Sequence, residues 1–227
     1  MKKILKKIPV IGPLAARVYW RFRGVQPFTT SSTYWEERYS TGGDSGAGSY
    51  DRLAEFKAEI INRFVDENRI ETVIEFGCGD GNQLNYFQFK SYTGYDVSKT
   101  AVSACSDMFG SDPSKQFRLM SEYQGEVADL TLSLDVIYHL IEEEVYLDYM
   151  EKLFSSSGKF IIVYSSNSGP EENPPVAPHM KHRRFTDWVE SHAPEFKMIR
   201  HIPNKYPYDG DGTRTSFADF YIFQKQG

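Results

Sequence analysis

The feature that most constrains the fold is the stretch VIEFGCGDGNQL at residues 73–84, where an apolar run ends in a glutamate and three alternate glycines follow. Gly77, Gly79 and Gly81 let the backbone turn sharply and approach a ligand closely, because they carry no side chain. In open α/β sheets, ligands bind in the crevice at the carboxyl ends of the strands. We therefore expect a binding crevice at this turn, facing the free N–H groups of a helix that starts after it.

The rest of the chain alternates between predicted strands and predicted helices, which indicates an α/β fold with a Rossmann-like, doubly wound and mostly parallel sheet. Its 227 residues suffice for one sizeable core and favour a single domain. Hydrophobic periodicity predicts the helices at 50–68, 98–109, 141–155 and 185–193. It predicts the strands at 72–76, 92–96, 116–120, 128–134, 159–166, 196–202 and 217–224.

Charge divides the chain into unequal parts. Residues 1–24 contain seven lysines and arginines and no acid, so a formal net charge of −5 leaves −12 on residues 25–227. Apolar residues recur at helical spacing in this basic segment, which predicts either an interfacial helix on an anionic membrane surface or a cationic arm that packs on the body or stays loose. The acidic body argues against a nucleic acid partner. We expect a basic amphipathic segment at 1–24, a linker and glycine-rich lid at 25–48, and the main domain at 49–227.

The sequence favours a cytoplasmic location, with peripheral attachment to the inner face of the membrane if the basic segment binds lipid. No run approaches the roughly 20 apolar residues of a transmembrane helix. Cys78 and Cys105 form no disulfide framework and are too few for a zinc site. No metal site is predicted, because the acids at positions 209 and 211 lack the third ligand and the terminal glutamate of a calcium loop.

Two carboxylates near the glycines indicate which of the candidate ligands the turn binds. A dinucleotide-binding turn requires G-x-G-x-x-G, and Asn82 occupies the position of its last glycine. Glu75, at the end of the first strand, can accept hydrogen bonds from a ligand ammonium group. Asp96 ends the next strand 21 residues later, close to the spacing at which an acid reaches ribose hydroxyls. A ligand with an amino-acid end and a nucleoside end meets both demands, and S-adenosylmethionine is such a ligand.

Three segments together carry a family resemblance: VIEFGCGDG, GYDVS and ADLTLSLDVIYHL. They resemble the class I S-adenosylmethionine-dependent methyltransferases, whose first motif is an acid followed by G-x-G-x-G. The resemblance covers about residues 34–225, and the stretches before the first strand resemble a subgroup associated with bacterial surface-polysaccharide loci. It implies an antiparallel strand near the C-terminus and methyl transfer to a hydroxyl of a sugar or glycan-type acceptor. The alternative is a non-catalytic cofactor-binding scaffold or sensor, and Asn82 disfavours an NAD-binding oxidoreductase.

The resemblance also implies a set of cofactor contacts at the strand ends and in a lid before the first strand. Cys78, inside the turn, is expected to be chemically inert. The alternative interpretation is a tight structural turn at the glycines and a helix cap at Asp96. The full expected set is Tyr34, Arg38, Glu75, Gly77, Cys78, Gly79, Asp96, Val97, Ser121, Glu122, Tyr123 and Leu134.

Asp135 and His139 are the first candidates for a base that removes a proton from the acceptor. They follow the fourth predicted strand, and in a helix their i, i+4 spacing would bring both side chains to one face. The aspartate would then orient the imidazole and raise its basicity. The alternative is that Asp135 caps a helix and His139 packs against the sheet.

His182 is the second candidate base. It lies in HMKHRRF at residues 179–185, where two histidines interleave with lysine and arginine in an otherwise acidic body. A cationic patch of this kind suits an anionic acceptor. The alternative is a solvated loop that leads into the next helix.

Overall fold

The computed structural model describes residues 28–172 and 177–227. The predicted basic segment 1–24 lies outside them, and its binding to an anionic membrane surface stays a prediction. The helices are α1 (Ser31–Ser40), α2 (Asp51–Glu67), α3 (Lys99–Phe109), α4 (Glu143–Ser155) and α5 (Phe185–His192). The strands are β1 (Thr72–Phe76), β2 (Ser91–Asp96), β3 (Lys115–Leu119), β4 (Ala128–Leu134), β5 (Ser157–Ser165), β6 (Phe196–Ile202) and β7 (Asp219–Lys225).

Across the described residues the strands form one seven-stranded sheet in the order β3-β2-β1-β4-β5-β7-β6. The pairs from β3 to β5 are parallel, and β7 runs antiparallel to both β5 and β6. The predicted α/β fold with one antiparallel strand near the C-terminus is confirmed. The strand order reverses between β1 and β4, so the crevice expected for a ligand lies at the carboxyl ends of these two strands.

Both faces of the central strands are covered, which explains why β1 and β5 contain continuous apolar runs. Val73 and Ile74 are neighbours on β1, and their side chains enter opposite core layers. Phe64 of α2 packs in the layer with Val73, whereas Leu153 of α4 and Trp188 of α5 pack in the layer with Ile74. Burial on both faces is typical of a parallel sheet.

Helix α1 occupies much of the region predicted as a linker and a glycine-rich loop. Its cap is Thr30, whose side chain accepts a hydrogen bond from the backbone N–H of Thr33 at 3.1 Å. A threonine hydroxyl in this position satisfies a donor that the first turn leaves unpaired. The segment expected as a linker and glycine-rich lid at 25–48 therefore contains an α-helix. Gly42 and Gly46, both with φ of +84°, lie in the loop that follows.

The turn after β1 leads into a short 3₁₀ helix, Gln83–Tyr86, and not into the α-helix that the glycine pattern predicted. Phe87 and Phe89 follow it, and both side chains are buried in the core. Because these two rings pull the chain inward before β2 begins, the connection stays compact. The free N–H groups expected at this turn therefore do not come from an α-helix.

No helix within residues 28–172 and 177–227 is both long enough and apolar enough to cross a membrane.

Candidate active site

The glycine turn after β1 has a geometry that side chains would prevent. Gly77, Gly79 and Gly81 have φ values of +87°, +58° and +76°, a region that L residues rarely adopt. A Cβ on Gly77 would lie 2.4 Å from Val136 Cγ2, and one on Gly79 would lie 2.3 Å from Ser45 Oγ. Glycine is therefore required here for the backbone conformation and for the close approach of neighbouring chain segments.

Asp96 ties this turn to the start of α3. Its Oδ2 accepts a hydrogen bond from the Gly79 N–H at 2.9 Å, and its Oδ1 accepts one from the Ser98 N–H at 2.8 Å. The side chain is buried, and burial raises the pKa of its carboxyl group. Each carboxylate oxygen can accept a further hydrogen bond, so these two contacts leave room for a ligand hydroxyl.

Glu75 ends β1 beside the turn and is also buried. Its Oε2 accepts a hydrogen bond from the Tyr92 hydroxyl at 2.6 Å. Burial raises the pKa of Glu75 to about 7, although the Tyr92 hydrogen bond and the positive charge of Lys57 act in the opposite direction. Near neutral pH this carboxyl group therefore exchanges its proton readily, and a cationic ligand group would favour the ionised form.

A cleft of about 530 Å³ opens over the turn and the ends of β1, β2 and β4. We call it the donor cleft. It is also lined by Trp35 and Tyr39 of α1 and by Met120, which follows β3. Seven of the expected cofactor contacts line it: Glu75, Gly77, Cys78, Gly79, Asp96, Val97 and Leu134.

The remaining five expected contacts do not line the donor cleft. In the lid, Tyr34 stacks on the His179 ring at 4.4 Å, and Arg38 binds the Asp44 carboxylate at 3.0 Å. After β3 the chain forms a 3₁₀ turn over Met120–Glu122, in which Glu122 accepts a hydrogen bond from the Leu119 N–H at 2.8 Å.

Ser121 is exposed in the same turn, and the Tyr123 ring packs in the core against Phe76 and Tyr95. Within the described chain, Met120 is thus the residue of this stretch that reaches the cleft.

Helix α1 forms the cover of the donor cleft, and two carboxylates hold it, one near its middle and one at its first residue. Glu36 accepts hydrogen bonds from the hydroxyls of Ser98 at 2.7 Å and Thr100 at 2.6 Å, at the start of α3. Glu142 accepts hydrogen bonds from the backbone N–H of Ser31 at 2.9 Å and from its hydroxyl at 2.6 Å. The bond from Thr100, followed by that from Ser98, lowers the pKa of Glu36. These contacts keep α1 over the cleft at neutral pH.

The predicted pairing of Asp135 with His139 is wrong. Asp135 has a φ of +60°, and a single 3₁₀ turn over Ile137–His139 stands where a longer helix was expected. The Asp135 carboxylate accepts hydrogen bonds from Lys57 Nζ at 2.8 Å and from the Tyr138 hydroxyl at 2.7 Å. The two candidate bases are therefore oriented by different partners.

His139 is held in one tautomer by the backbone. Its Nδ1 lies 3.0 Å from the carbonyl oxygen of His179, which can only accept, so Nδ1 carries the proton and Nε2 of the neutral ring is an acceptor. Burial lowers the pKa of His139 to about 4. The ring is therefore neutral at physiological pH and able to accept a proton. It packs edge-on against Trp35 at 5.0 Å.

His182 lies deeper in the protein. It is 3% exposed, its Nδ1 is 2.6 Å from Ser166 Oγ, and its ring packs against Phe217 at 5.1 Å. Burial lowers its pKa. Among the described residues it lines neither the donor cleft nor the neighbouring cleft described below.

The cations around His182 are each paired with an acid. Lys181 and Arg183 both bind Glu143, at 3.0 and 3.2 Å, and Arg184 lies 3.5 Å from Glu171. The predicted cationic patch is therefore neutralised by carboxylates. The expectation that it selects an anionic acceptor is not supported, because its charges are already engaged.

A second cleft of about 370 Å³ shares Ser45, Asp135 and His139 with the donor cleft. We call it the acceptor cleft. Most of its described lining is apolar or aromatic, including Tyr208 and Phe217, whose rings stack with centroids 3.8 Å apart. Asp135 and His139 thus stand at the junction of the two clefts.

Lys57 belongs to the site and was not predicted from the sequence. It is fully buried and lines the donor cleft, and its i+4 spacing from Leu53 on the apolar face of α2 was the available signal. Trp35 and Tyr39 were expected in the lid together with Tyr34 and Arg38, and it is Trp35 and Tyr39 that line the cleft. Within the described part of the chain, no three His, Cys, Asp or Glu side chains are grouped to hold a metal ion.

The burial of Glu75 makes stability depend on pH. Its pKa rises from 4.5 to about 7 on folding, so the folded state binds more protons than the unfolded state between these values. The contribution of Glu75 to the free energy of unfolding is therefore expected to fall by roughly 3 kcal/mol as the pH rises through this window, whereas the lowered pKa of His139 contributes in the opposite direction. Glu75→Gln removes this contribution and keeps that of His139. The difference in the free energy of unfolding between wild type and Glu75→Gln, measured by urea unfolding at the two ends of the window, therefore isolates the effect of Glu75.

The matched control is Glu59→Gln, because Glu59 is an exposed glutamate on α2. It should leave the pH dependence of unfolding as in the wild type. If wild type and Glu75→Gln lose the same stability between acidic and neutral pH, Glu75 is ionised at acidic pH and the assignment is wrong.

Residues 50–207 match a protein family described as a methyltransferase domain. No curated protein matches the chain significantly. The N-methyltransferase NodS from Bradyrhizobium japonicum WM9, in complex with S-adenosyl-L-homocysteine, superposes with a TM-score of 0.67 at 10% identity, covering 88% of this chain and 100% of NodS.

Two further solved structures are similar. Magnesium protoporphyrin IX methyltransferase (ChlM) from Synechocystis PCC 6803 with bound SAM has a TM-score of 0.59 at 14% identity, covering 89% of this chain and 100% of that one. A putative RNA methyltransferase from Pyrococcus horikoshii has a TM-score of 0.55 at 18% identity, and the match covers 76% of this chain and 85% of that one. At these identities the likeness shows the fold alone.

Proposed function

The chain belongs to the methyltransferase-domain family and is an S-adenosylmethionine-dependent methyltransferase, and we propose that it methylates a hydroxyl group of a sugar or glycan-type acceptor. The observation that carries the proposal is the junction of two clefts at Asp135 and His139. One cleft has the groups that suit the methyl donor. The other has a largely uncharged lining that suits the ring of an acceptor.

The residues of the donor cleft fit S-adenosylmethionine. Glu75 would accept hydrogen bonds from its ammonium group, and Asp96 would accept them from its ribose hydroxyls. Gln83 Oε1 is buried without a hydrogen-bond partner among the described residues, and its side chain lines this cleft. A ligand ammonium group would satisfy this acceptor. The lack of side chains at Gly77 and Gly79 allows the ligand to lie against the backbone.

Methyl transfer from S-adenosylmethionine requires few catalytic groups from the protein. S-adenosylmethionine supplies a methyl group on a positively charged sulfur, which is a good leaving group. The protein aligns the acceptor oxygen, excludes water and provides a base for the hydroxyl proton. Helix α1 excludes water by covering the cleft with Trp35 and Tyr39. His139 Nε2 takes the proton of the reacting hydroxyl, and the Asp135 carboxylate accepts a hydrogen bond from a second, neighbouring hydroxyl of the acceptor and so orients the ring.

The acceptor cleft favours an uncharged ligand with one apolar face. Tyr208 and Phe217 offer aromatic surface, and Asp135 and His139 offer polar groups at the inner end. Pockets of this composition bind ligands through apolar contact and use a few polar groups to fix orientation. A sugar ring has both an apolar face and hydroxyl groups. The resemblance to enzymes of surface-polysaccharide loci supports the same choice.

We expect the protein to bind S-adenosylhomocysteine and not NAD in calorimetric titrations. We also expect labelled methyl groups to appear as methyl ethers on neutral glycosides. The rate should be about tenfold or more higher than on sugar phosphates or uronic acids with the same ring, because no lysine or arginine among the described residues lines the acceptor cleft to pair with an anion. Mass spectrometry of the products will identify the methylated atom.

Two outcomes would contradict the proposal. Transfer to nitrogen, or a preference for anionic or nucleic acid acceptors, would show that the acceptor class is wrong. Binding of S-adenosylhomocysteine without transfer to any acceptor in a broad panel would favour the non-catalytic scaffold.

A further inference from the structure

A fully buried lysine stands beside the junction of the two clefts. Lys57 projects from α2 with 1% of its side chain exposed, and its Nζ donates a hydrogen bond to Asp135 Oδ2 at 2.8 Å. Removing an ammonium group from water is costly, and a buried ion pair often contributes less to stability than apolar residues of similar size. Fold stability alone is therefore a weak reason for a lysine at this position.

The contacts around the Lys57–Asp135 pair fix the position of the Asp135 carboxylate and leave it partly exposed. Asp135 Oδ1 accepts the Tyr138 hydroxyl at 2.7 Å, and the Asp135 N–H donates to the carbonyl of Tyr164 at 2.9 Å. A Cβ on Gly48 would lie 2.6 Å from Asp135 Oδ2, so the backbone of Gly48 packs against the same group. Lys57 Nζ also lies 5.2 Å from the centroid of the Tyr164 ring. Asp135 nevertheless lines both clefts.

We propose that Lys57 is a positioning residue for methyl transfer, because its buried ammonium group holds the Asp135 carboxylate at the junction of the two clefts. The proposal rests on the proposed function, in which Asp135 orients the acceptor through a hydroxyl next to the reacting one. Without Lys57, one oxygen of the carboxylate loses its charged partner, and the side chain is free to turn away from the acceptor. Lys57 itself does not touch the acceptor.

The kcat of Lys57→Met tests the proposal. It is compared with the kcat of Lys57→Arg and of the double variant Lys57→Met/Asp135→Asn. We expect Lys57→Met to lower kcat by about 100-fold, because the acceptor loses its orienting group. Lys57→Arg keeps a cation within reach and should recover at least about tenfold of that loss. In the double variant kcat should be no lower than in Asp135→Asn alone, because the lysine acts through the aspartate.

The matched control is Lys90→Met, since Lys90 forms an exposed pair with Glu71. It should leave kcat unchanged. Because Lys57 and Asp135 line the donor cleft, kcat is measured at saturating S-adenosylmethionine, and binding of S-adenosylhomocysteine at about pH 9, above the Glu75 pKa of about 7, should change far less than kcat in Lys57→Met. If Lys57→Met unfolds because Asp135 is left unpaired, the double variant removes both charges and should have a higher Tm than Lys57→Met.

Crystal structures of Lys57→Met and Lys57→Arg with S-adenosylhomocysteine test the geometry without turnover. The Asp135 carboxylate should leave Tyr138 in the methionine variant and stay in the arginine variant. An unmoved carboxylate in Lys57→Met, a kcat within about threefold of the wild type, or fully multiplicative losses in the double variant would overturn the proposal. If the wild type methylates no acceptor while the carboxylate moves as expected, the proposed function fails and the positioning of Asp135 by Lys57 stands.

Discussion

Replacing Asp96 with alanine is expected to weaken the binding of S-adenosylhomocysteine by about 100-fold or more, the largest effect on binding that the structure predicts. The Asp96 carboxylate accepts hydrogen bonds from the backbone N–H groups of Gly79 and Ser98. Leaving these two donors unpaired lowers the stability of the turn, whereas the loss of affinity comes from the acceptor proposed for the ribose hydroxyls. A hydrogen bond to a charged group contributes about 1.5–3 kcal/mol, and 100-fold in affinity corresponds to about 2.7 kcal/mol. Calorimetric titration will measure the change.

Two further variants distinguish the role of Asp96 in holding the glycine turn from its proposed contact with the ligand. Asp96→Asn keeps one acceptor oxygen and should fall between the wild type and the alanine variant. Asp112→Ala removes an aspartate that bonds Ser114 between α3 and β3, and it should bind as the wild type does. A folded Asp96→Ala protein that binds within about threefold of the wild type would show that neither the turn nor the ribose depends on this carboxylate.

The features predicted correctly from the sequence are those that neighbouring residues determine. The strand expected at 72–76 coincides with β1, because an apolar run that ends at glycines is buried on both faces of a sheet. The position of Asp96 in the cleft was predicted in the same way, because it is the last residue of β2. The location of the cleft at these strand ends then depends only on the parallel order of the sheet.

The features that were missed depend on contacts between distant residues. Helix α1 is polar along its length, and Glu142, 111 residues away, bonds its first residue. Lys57 lies on the buried face of α2 because its partner, Asp135, is 78 residues away. Lys57 thus binds the carboxylate that the i, i+4 spacing had predicted to bind His139. Local periodicity contains no information about such partners, so a buried charge or a polar cover helix is identified only in the folded chain.

Replacing His139 with asparagine is expected to lower kcat by about 100-fold to 10,000-fold, the usual contribution of a general base. The amide of asparagine can still donate to the carbonyl of His179, whereas the acceptor at Nε2 is lost. Because burial lowers the pKa of His139 to about 4, the wild-type kcat at saturating cofactor should stay constant from neutral pH down to about pH 5 and fall below it. Steady-state rates across this range will measure both effects.

His182 provides the comparison that decides which histidine acts. It is buried behind Phe217, so His182→Asn should lower the Tm and leave kcat within about threefold of the wild type. His201→Asn, at an exposed histidine that bonds Asp219, should change neither quantity. A His139→Asn variant with wild-type kcat would leave Asp135 as the group that takes the proton, and Asp135→Asn should then cause the larger loss. A drop in wild-type kcat near pH 6.5, the ordinary pKa of histidine, would instead show that His139 titrates in contact with water.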